Sequence, residues 1–403
     1  MNKKWIITLL MVPTLFAGAQ GIRLTKYDAP SAVYFDIESA INYNMYEHWR
    51  YQADVSWVYP NQNSAAAKQV KNQWRAKAYA GFTTGDADFK YGATGSVLLS
   101  KSKVKLSVSG FKDMFRAADR NLGTYSLLNP SANTGFVASY FVGVKGAMAS
   151  AEFSPARKWN VTLGLRQTWE DYRFDSYGLI YPTIDPSRQT PVLSFSEVVA
   201  RVEWDSKAIL SLRGGYISNY FTNAYLKAIL QYKQSYFNKS LNLFSQVGFA
   251  TKNAPYSRMF DLGGTGHSGY FFNNTFLTVY PNRFAANTYA LASINYTMTK
   301  PIWDLEFSKP KPFAQLNVMW GSLFGQDKYG QMIHDGLYLQ SPFQGLLEPA
   351  VGIDGILRWG MVDFGIAVAY QLCPANAPYR YANSEDNFAF CLMGNLILDK
   401  YFK

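Results

Sequence analysis

The segment Asp261 to Tyr270, DLGGTGHSGY, is where residue types and spacing come nearest to chemistry. Gly264, Gly266 and Gly269 fit G-x-G-x-x-G, the dinucleotide fingerprint, which needs a strand before it and an amphipathic helix after it to meet a pyrophosphate. Phe271-Phe272-Asn273-Asn274 is no helix start, so no nucleotide cofactor is expected. Around Ser268 the run Gly-His-Ser-Gly-Tyr misses the nucleophile elbow, because Tyr270 stands where the last glycine belongs. His267, adjacent in the chain, cannot easily turn its ring onto Ser268, and no partner carboxylate is identifiable. The other histidines, His48 and His334, are scattered without ligand spacing, so no metal site is expected and the chain reads as a non-enzyme. Cys373 and Cys391 are the only cysteines; both fall on the inward phase of the last hairpin, where strand register decides between a cross-strand disulfide and two free thiols.

The elements that carry these residues alternate with period two. From Trp159, the residues Val161, Leu163, Leu165 and Trp169 share one face, while Thr162, Arg166, Thr168 and Glu170 share the other. The same alternation recurs at Tyr51 to Trp57 and at Val362 to Tyr370, where Asp363 takes the polar face. In water a polar face would lie outside; repeated along one chain, the pattern predicts apolar residues toward lipid and polar ones toward a lumen. Arg166, Glu170, Arg201, Glu203 and Asp363 are then lumen charges.

Such runs predict strands at 33–44, 50–58, 73–83, 88–100, 103–111, 136–153, 159–172, 195–204, 209–216, 224–236, 239–250, 287–298, 313–320, 346–357, 361–370 and 387–398. That is an all-β, single-domain fold: a transmembrane antiparallel β-barrel of about 16 strands. With both termini periplasmic, tight turns alternate with longer extracellular connections. The segments 59–72 and 299–312 are long for periplasmic turns, and Pro301, Pro310 and Pro312 mark the second as a loop.

At the N-terminus, Lys3 and Lys4 precede an apolar run to Phe16, and Ala17-Gly18-Ala19 supplies a cleavage site. Residues 1–19 are read as a signal peptide and 20–403 as the barrel, in the Gram-negative outer membrane, with no room for a periplasmic domain before the first strand. Aromatics at 17% and charged residues at 17% suit a girdled, pleated structure. The net charge of +11 admits three readings: an exterior that meets glycolipid phosphates, a lumen that favours anionic solutes, or solvated loops. Outer-membrane lipid and glycolipid are the expected surroundings, and no nucleic-acid partner is expected.

The stretch Ser257 to Tyr296, with Arg258-Met259-Phe260-Asp261-Leu262-Gly263-Gly264, then Gly269-Tyr270, then Asn282 to Asn287, resembles the sixth-loop region of BamA/TamA-like assembly-factor barrels. It is most similar to an uncharacterised branch usually preceded by a carboxypeptidase-regulatory-like domain, and the resemblance covers roughly 195–403. In that superfamily an Arg-Gly-Tyr or Arg-Gly-Phe tip folds into the lumen. Here Ser268-Gly269-Tyr270 stands in its place, without the guanidinium that would pair with an inner-wall carboxylate.

The resemblance implies a role in outer-membrane or envelope biogenesis, with a periplasmic or outer-membrane protein partner to deliver cargo. On this reading Leu262, Gly263, Gly264, Gly269 and Tyr270 form a lumen loop that acts as a plug, and the seam between first and last strands opens. A passive channel for small, preferentially anionic solutes and a surface-interaction barrel are the alternatives.

Overall fold

A computed structural model describes residues 22–36, 41–44, 48–84, 87–116, 119–120, 141–173, 192–218, 224–264, 275–280, 283–334, 337–359, 362–381 and 383–396. Sixteen strands follow one another antiparallel. The first, β1, has two segments, Ala32–Asp36 and Ile41–Asn44. It is followed by β2 (His48–Tyr59), β3 (Gln73–Thr83), β4 (Asp88–Leu99), β5 (Val104–Arg116), β6 (Phe141–Ala156), β7 (Trp159–Arg173) and β8 (Leu193–Trp204). The second half comprises β9 (Ala208–Ser218), β10 (Ala224–Tyr236), β11 (Leu241–Ala250), β12 (Thr288–Thr297), β13 (Lys311–Ser322), β14 (Leu346–Trp359), β15 (Val362–Tyr370) and β16 (Phe388–Leu396). Among the described residues no helix is long and apolar enough to cross a membrane. The chain is an all-β antiparallel barrel, with large apolar side chains exposed along its strands.

Alternation decides which side chains face lipid. On β7, Leu163 and Leu165 are exposed while Thr162, Arg166, Thr168 and Glu170 are buried, so the polar face is the covered one. In register Arg166 stands opposite Glu197 of β8, and Glu197 opposite Gly215 of β9, which keeps one inward row continuous from strand to strand. A one-residue slip would turn the charged row into hydrocarbon, so the membrane itself fixes this register.

The expected strands lie where the alternation put them, with local corrections. Pro312 belongs to β13, paired with Ile353, and Pro349 lies inside β14 opposite Leu316. Proline is tolerated at the start of β13 because it still accepts, here from Met298 N–H at 3.0 Å. β6 is described from Phe141 and runs through Pro155 to Ala156, beyond the expected end at 153, while the expected start at 136 lies outside the described residues. The connection after Tyr59 holds a short helix, Ala66–Gln69. Residues 1–21, with the expected signal peptide, lie outside the described residues, as do 37–40, 45–47 and 397–403, where the first strand would close on the last.

The outer edge of β1 is partly occupied from its own side. Ile22 and Arg23 pair with Phe35 and Tyr34, and Leu24 N–H donates to Val33 C=O at 2.8 Å, while the opposite edge of the same residues pairs with β2. A strand edge holds one partner, so from Val33 to Phe35 this edge of β1 is not free for another strand.

Candidate functional site

Three inward side chains on neighbouring strands converge in the half of the lumen nearest the long connections: Glu170 of β7, Glu197 of β8 and Tyr225 of β10. Tyr225 reaches across β9 because the intervening inward position is Gly215. A Cβ there would run into the carbonyl of Ser196 and lie 3.1 Å from Glu197 Cγ. With that space open, the Tyr225 hydroxyl donates to Glu197 Oε1.

Arg258, from the connection between β11 and β12, enters this cup. Its Nη2 donates to Glu170 Oε1 at 2.7 Å and its Nη1 to Glu170 Oε2 at 3.1 Å, a bidentate pair. Its Nε donates to Glu197 Oε1 at 2.8 Å, and its Cζ lies 3.9 Å from the centre of the Phe195 ring. Arg166 Nε approaches the other Glu197 oxygen at 3.7 Å. All these groups are buried, so the charges are matched within a site that excludes bulk water. Next to it, the Lys227 ammonium donates to Met259 C=O at 3.0 Å and sits 4.2 Å over the Phe260 ring.

A second carboxylate holds the far limb of the same connection. Glu348 of β14, fully buried, accepts from Leu277 N–H at 2.9 Å, from Thr278 N–H at 2.8 Å and from the Thr278 hydroxyl at 2.5 Å. Asn317, its register partner on β13, donates to Thr275 C=O at 2.9 Å. Between the two anchors the limbs lie against each other: Gly264 N–H donates to Val279 C=O at 3.1 Å, and a Cβ at Gly264 would strike the carbonyls of Phe276 and Val279. Only glycine allows that approach.

The connection also brings an apolar core with it. Tyr256, Met259, Phe260, Leu262, Phe276, Val279 and Phe284 are buried against inward residues of the wall, among them Phe195, Ile217, Ile229, Phe244, Tyr289 and Met319. A small sheet crowns it, in which Phe260–Asp261 pairs with Ala285–Ala286 and, in parallel, with Asp119–Arg120. The connection 371–387 packs on top through Tyr379, whose hydroxyl donates to Gly345 C=O at 2.9 Å; burial pushes that phenol up to about 12.

Of the expected lumen loop, Leu262, Gly263 and Gly264 are buried, and Gly269 and Tyr270 lie outside the described residues, as do His267 and Ser268. Of the expected lumen charges, Arg166 and Glu170 belong to the cup. Arg201 and Glu203 pair with each other at 2.9 Å farther down β8, and Asp363 pairs with Arg358 at 2.7 Å near the tight turns. The cysteines are two free thiols: register sets Ala367, not Cys373, opposite Cys391, and Cys373 packs against the loop core instead. Among the described residues no cluster of His, Cys, Asp and Glu could hold a metal ion. His334 instead makes a 2.9 Å hydrogen bond between its Nε2 and Ala254 C=O.

No family model and no curated protein matches the chain. Solved structures do. BamA from Haemophilus ducreyi lacking POTRA domains 1-3 matches at 10% identity and a TM-score of 0.48, over 91% of this chain and 70% of that one. CdiB from Acinetobacter baumannii matches at 10% identity and 0.42, over 86% and 57%. The siderophore receptor PirA from Acinetobacter baumannii matches at 10% identity and 0.35, over 87% and 54%. The chain thus spans little more than half the length of the last two.

Proposed function

We propose that this protein is an assembly- or translocation-type outer-membrane barrel whose resting lumen is closed by its own loop, residues 254–287. The observation that carries the reading is the grip of Glu170 and Glu197 on Arg258 inside the lumen, with the apolar loop core around it. A solute channel needs a wet, polar path from end to end, and a packed core of Phe, Leu, Met and Tyr side chains is the opposite. Passage then requires either movement of the loop or action at the barrel wall. The occupied edge of β1 favours the wall, because the residues opposite Ile22 and Arg23 are withheld from any closing ladder and the seam has fewer hydrogen bonds to break. Cargo is polypeptide or lipid on this reading, as the sequence resemblance implies, and a partner on the periplasmic side presents it.

Site-specific crosslinking tests this directly. Photoreactive residues placed at the edge of β1 (Val33, Phe35) and on the inward face of β8 (Arg201) are compared in growing cells. Adducts with unfolded outer-membrane proteins or lipid at the β1 edge support the reading. Adducts confined to neither position, with free uptake of small anions through the barrel, return the protein to the channel class.

A further inference from the structure

The two ends of the barrel differ in charge. At the tight-turn end, the connections 60–72, 100–103, 157–158, 205–207 and 237–240 carry basic residues with Asp205 as their one acid, and 298–310 adds Lys300 and Lys309 against Asp304 and Glu306. Lys71, Lys101, Lys103, Arg157, Lys158 and Lys239 are exposed there. At the other end the charges are close to balance: Asp327 precedes Lys328, Glu385 and Asp386 follow Arg380, and Arg258 turns inward. The excess of positive charge in this chain is therefore a property of the periplasmic rim, not of the outer surface where glycolipid phosphates lie.

The rim also sits at a defined depth. Trp74, Trp159, Trp204, Tyr236 and Trp359 are exposed at the same end, and Trp159 and Trp204 face each other in register with ring centres 6.5 Å apart. Such a belt marks the boundary of the hydrocarbon. Lys158 adjoins Trp159, Lys71 precedes Trp74 by three residues and Lys239 follows Tyr236 by three, so the ammonium groups lie just beyond the belt, at headgroup level. The connection 298–310 exposes Ile302, Trp303 and Phe307 beside them and extends the apolar contact. One anion is already gathered here: Lys158 and Lys207 approach the Asp205 carboxylate at 3.2 and 3.6 Å.

We propose that this rim selects anionic phospholipid from the inner leaflet of the outer membrane, through phosphate groups held by lysines seated directly under an aromatic belt. The preference is electrostatic and local, so it falls with salt and depends on the turns rather than on the strands. An annulus of acidic lipid would surround the end at which cargo enters.

The test uses the full mature chain folded into phosphatidylcholine vesicles, with spin-labelled phosphatidylglycerol or spin-labelled phosphatidylcholine as probe. The motionally restricted fraction reports lipids in contact with the barrel. We expect phosphatidylglycerol to be favoured roughly threefold at low salt and to lose that advantage at about 1 M NaCl. Combined replacement Lys101→Gln, Lys103→Gln, Arg157→Gln and Lys158→Gln should abolish the preference, whereas Lys252→Gln with Lys328→Gln at the other end should keep it. Heat-modifiable gel migration shows whether each variant has folded; a second rim variant, Lys71→Gln with Lys239→Gln, should lower the preference if the first does not fold. A wild type indifferent to lipid charge overturns the proposal, as does a preference that survives both rim variants. Retention of an acidic soluble protein by a lipid-indifferent rim would also overturn it and assign the surface to that partner.

Discussion

Arg258 shows how a buried charge can be stable in a barrel: the guanidinium meets two carboxylates, a hydroxyl and an aromatic face, so its lost hydration is replaced from every side. Removing it leaves Glu170 buried without its bidentate partner, and Glu197 with Tyr225 and the more distant Arg166. Arg258→Ala should therefore cost about 3–5 kcal/mol in urea unfolding from vesicles, and Arg258→Lys part of that, since an ammonium cannot make the bidentate pair. Glu348→Gln is the matching test at the second anchor. The amide presents one oxygen where the carboxylate accepts two backbone N–H groups and a hydroxyl, and a loss of about 1–3 kcal/mol is expected in the same assay. At this scale the sequence is legible only in part. Arg166 and Glu170 declare themselves as inward because a strand has a period, but Arg258 lies in a connection with no period at all. The expected tip, Ser268-Gly269-Tyr270, lacks a guanidinium, and the one that docks stands ten residues earlier, in the motif Arg258-Met259-Phe260-Asp261. Glu197 and Glu348 were not among the expected lumen charges, although Glu197 shares the phase of Arg201 and Glu203; that they grip a loop depends on contacts far apart in the chain, 61 residues in one case and 71 in the other.

Strands were the most legible elements, because lipid outside and a polar row inside enforce alternation on almost every one of them. One loop expectation gave way: Pro312, read with Pro301 and Pro310 as part of a loop, lies in β13, whereas Pro349 lies inside a strand as the alternation expected. The connections behave differently, since their order comes from packing on the loop core. Connection 371–387 is a case with a pH signature. Its Tyr379 phenol is raised by burial to about 12 from an ordinary 10, so the neutral form is the one the fold holds. That contribution is complete below pH 10 and is lost as pH rises through about 12. The tyrosinate absorbance difference between wild type and Tyr379→Phe should accordingly titrate late, with loosening of this connection, seen as faster proteolysis at its ends, following the same curve. Titration at the ordinary tyrosine value would show that the side chain is not packed as described.

The whole molecule divides along its axis. Toward the long connections the lumen is filled by a packed, charge-matched loop. Toward the tight turns the inward face becomes wetter, with Arg75 and Lys77 exposed and Arg201 and Glu203 half-buried. On the proposed function, this exposed, lysine-rimmed end is where material would be received, with the Arg258 grip closing the lumen beyond it. The central claim is the closure, and single-channel conductance of the mature protein in planar bilayers tests it most directly, with wild type compared to Arg258→Ala and to a variant lacking Gly263 to Gly269. The account predicts a wild type that is silent or flickers briefly, with long, large openings in both variants. A large, steady pore in the wild type, unchanged by either alteration, would contradict it.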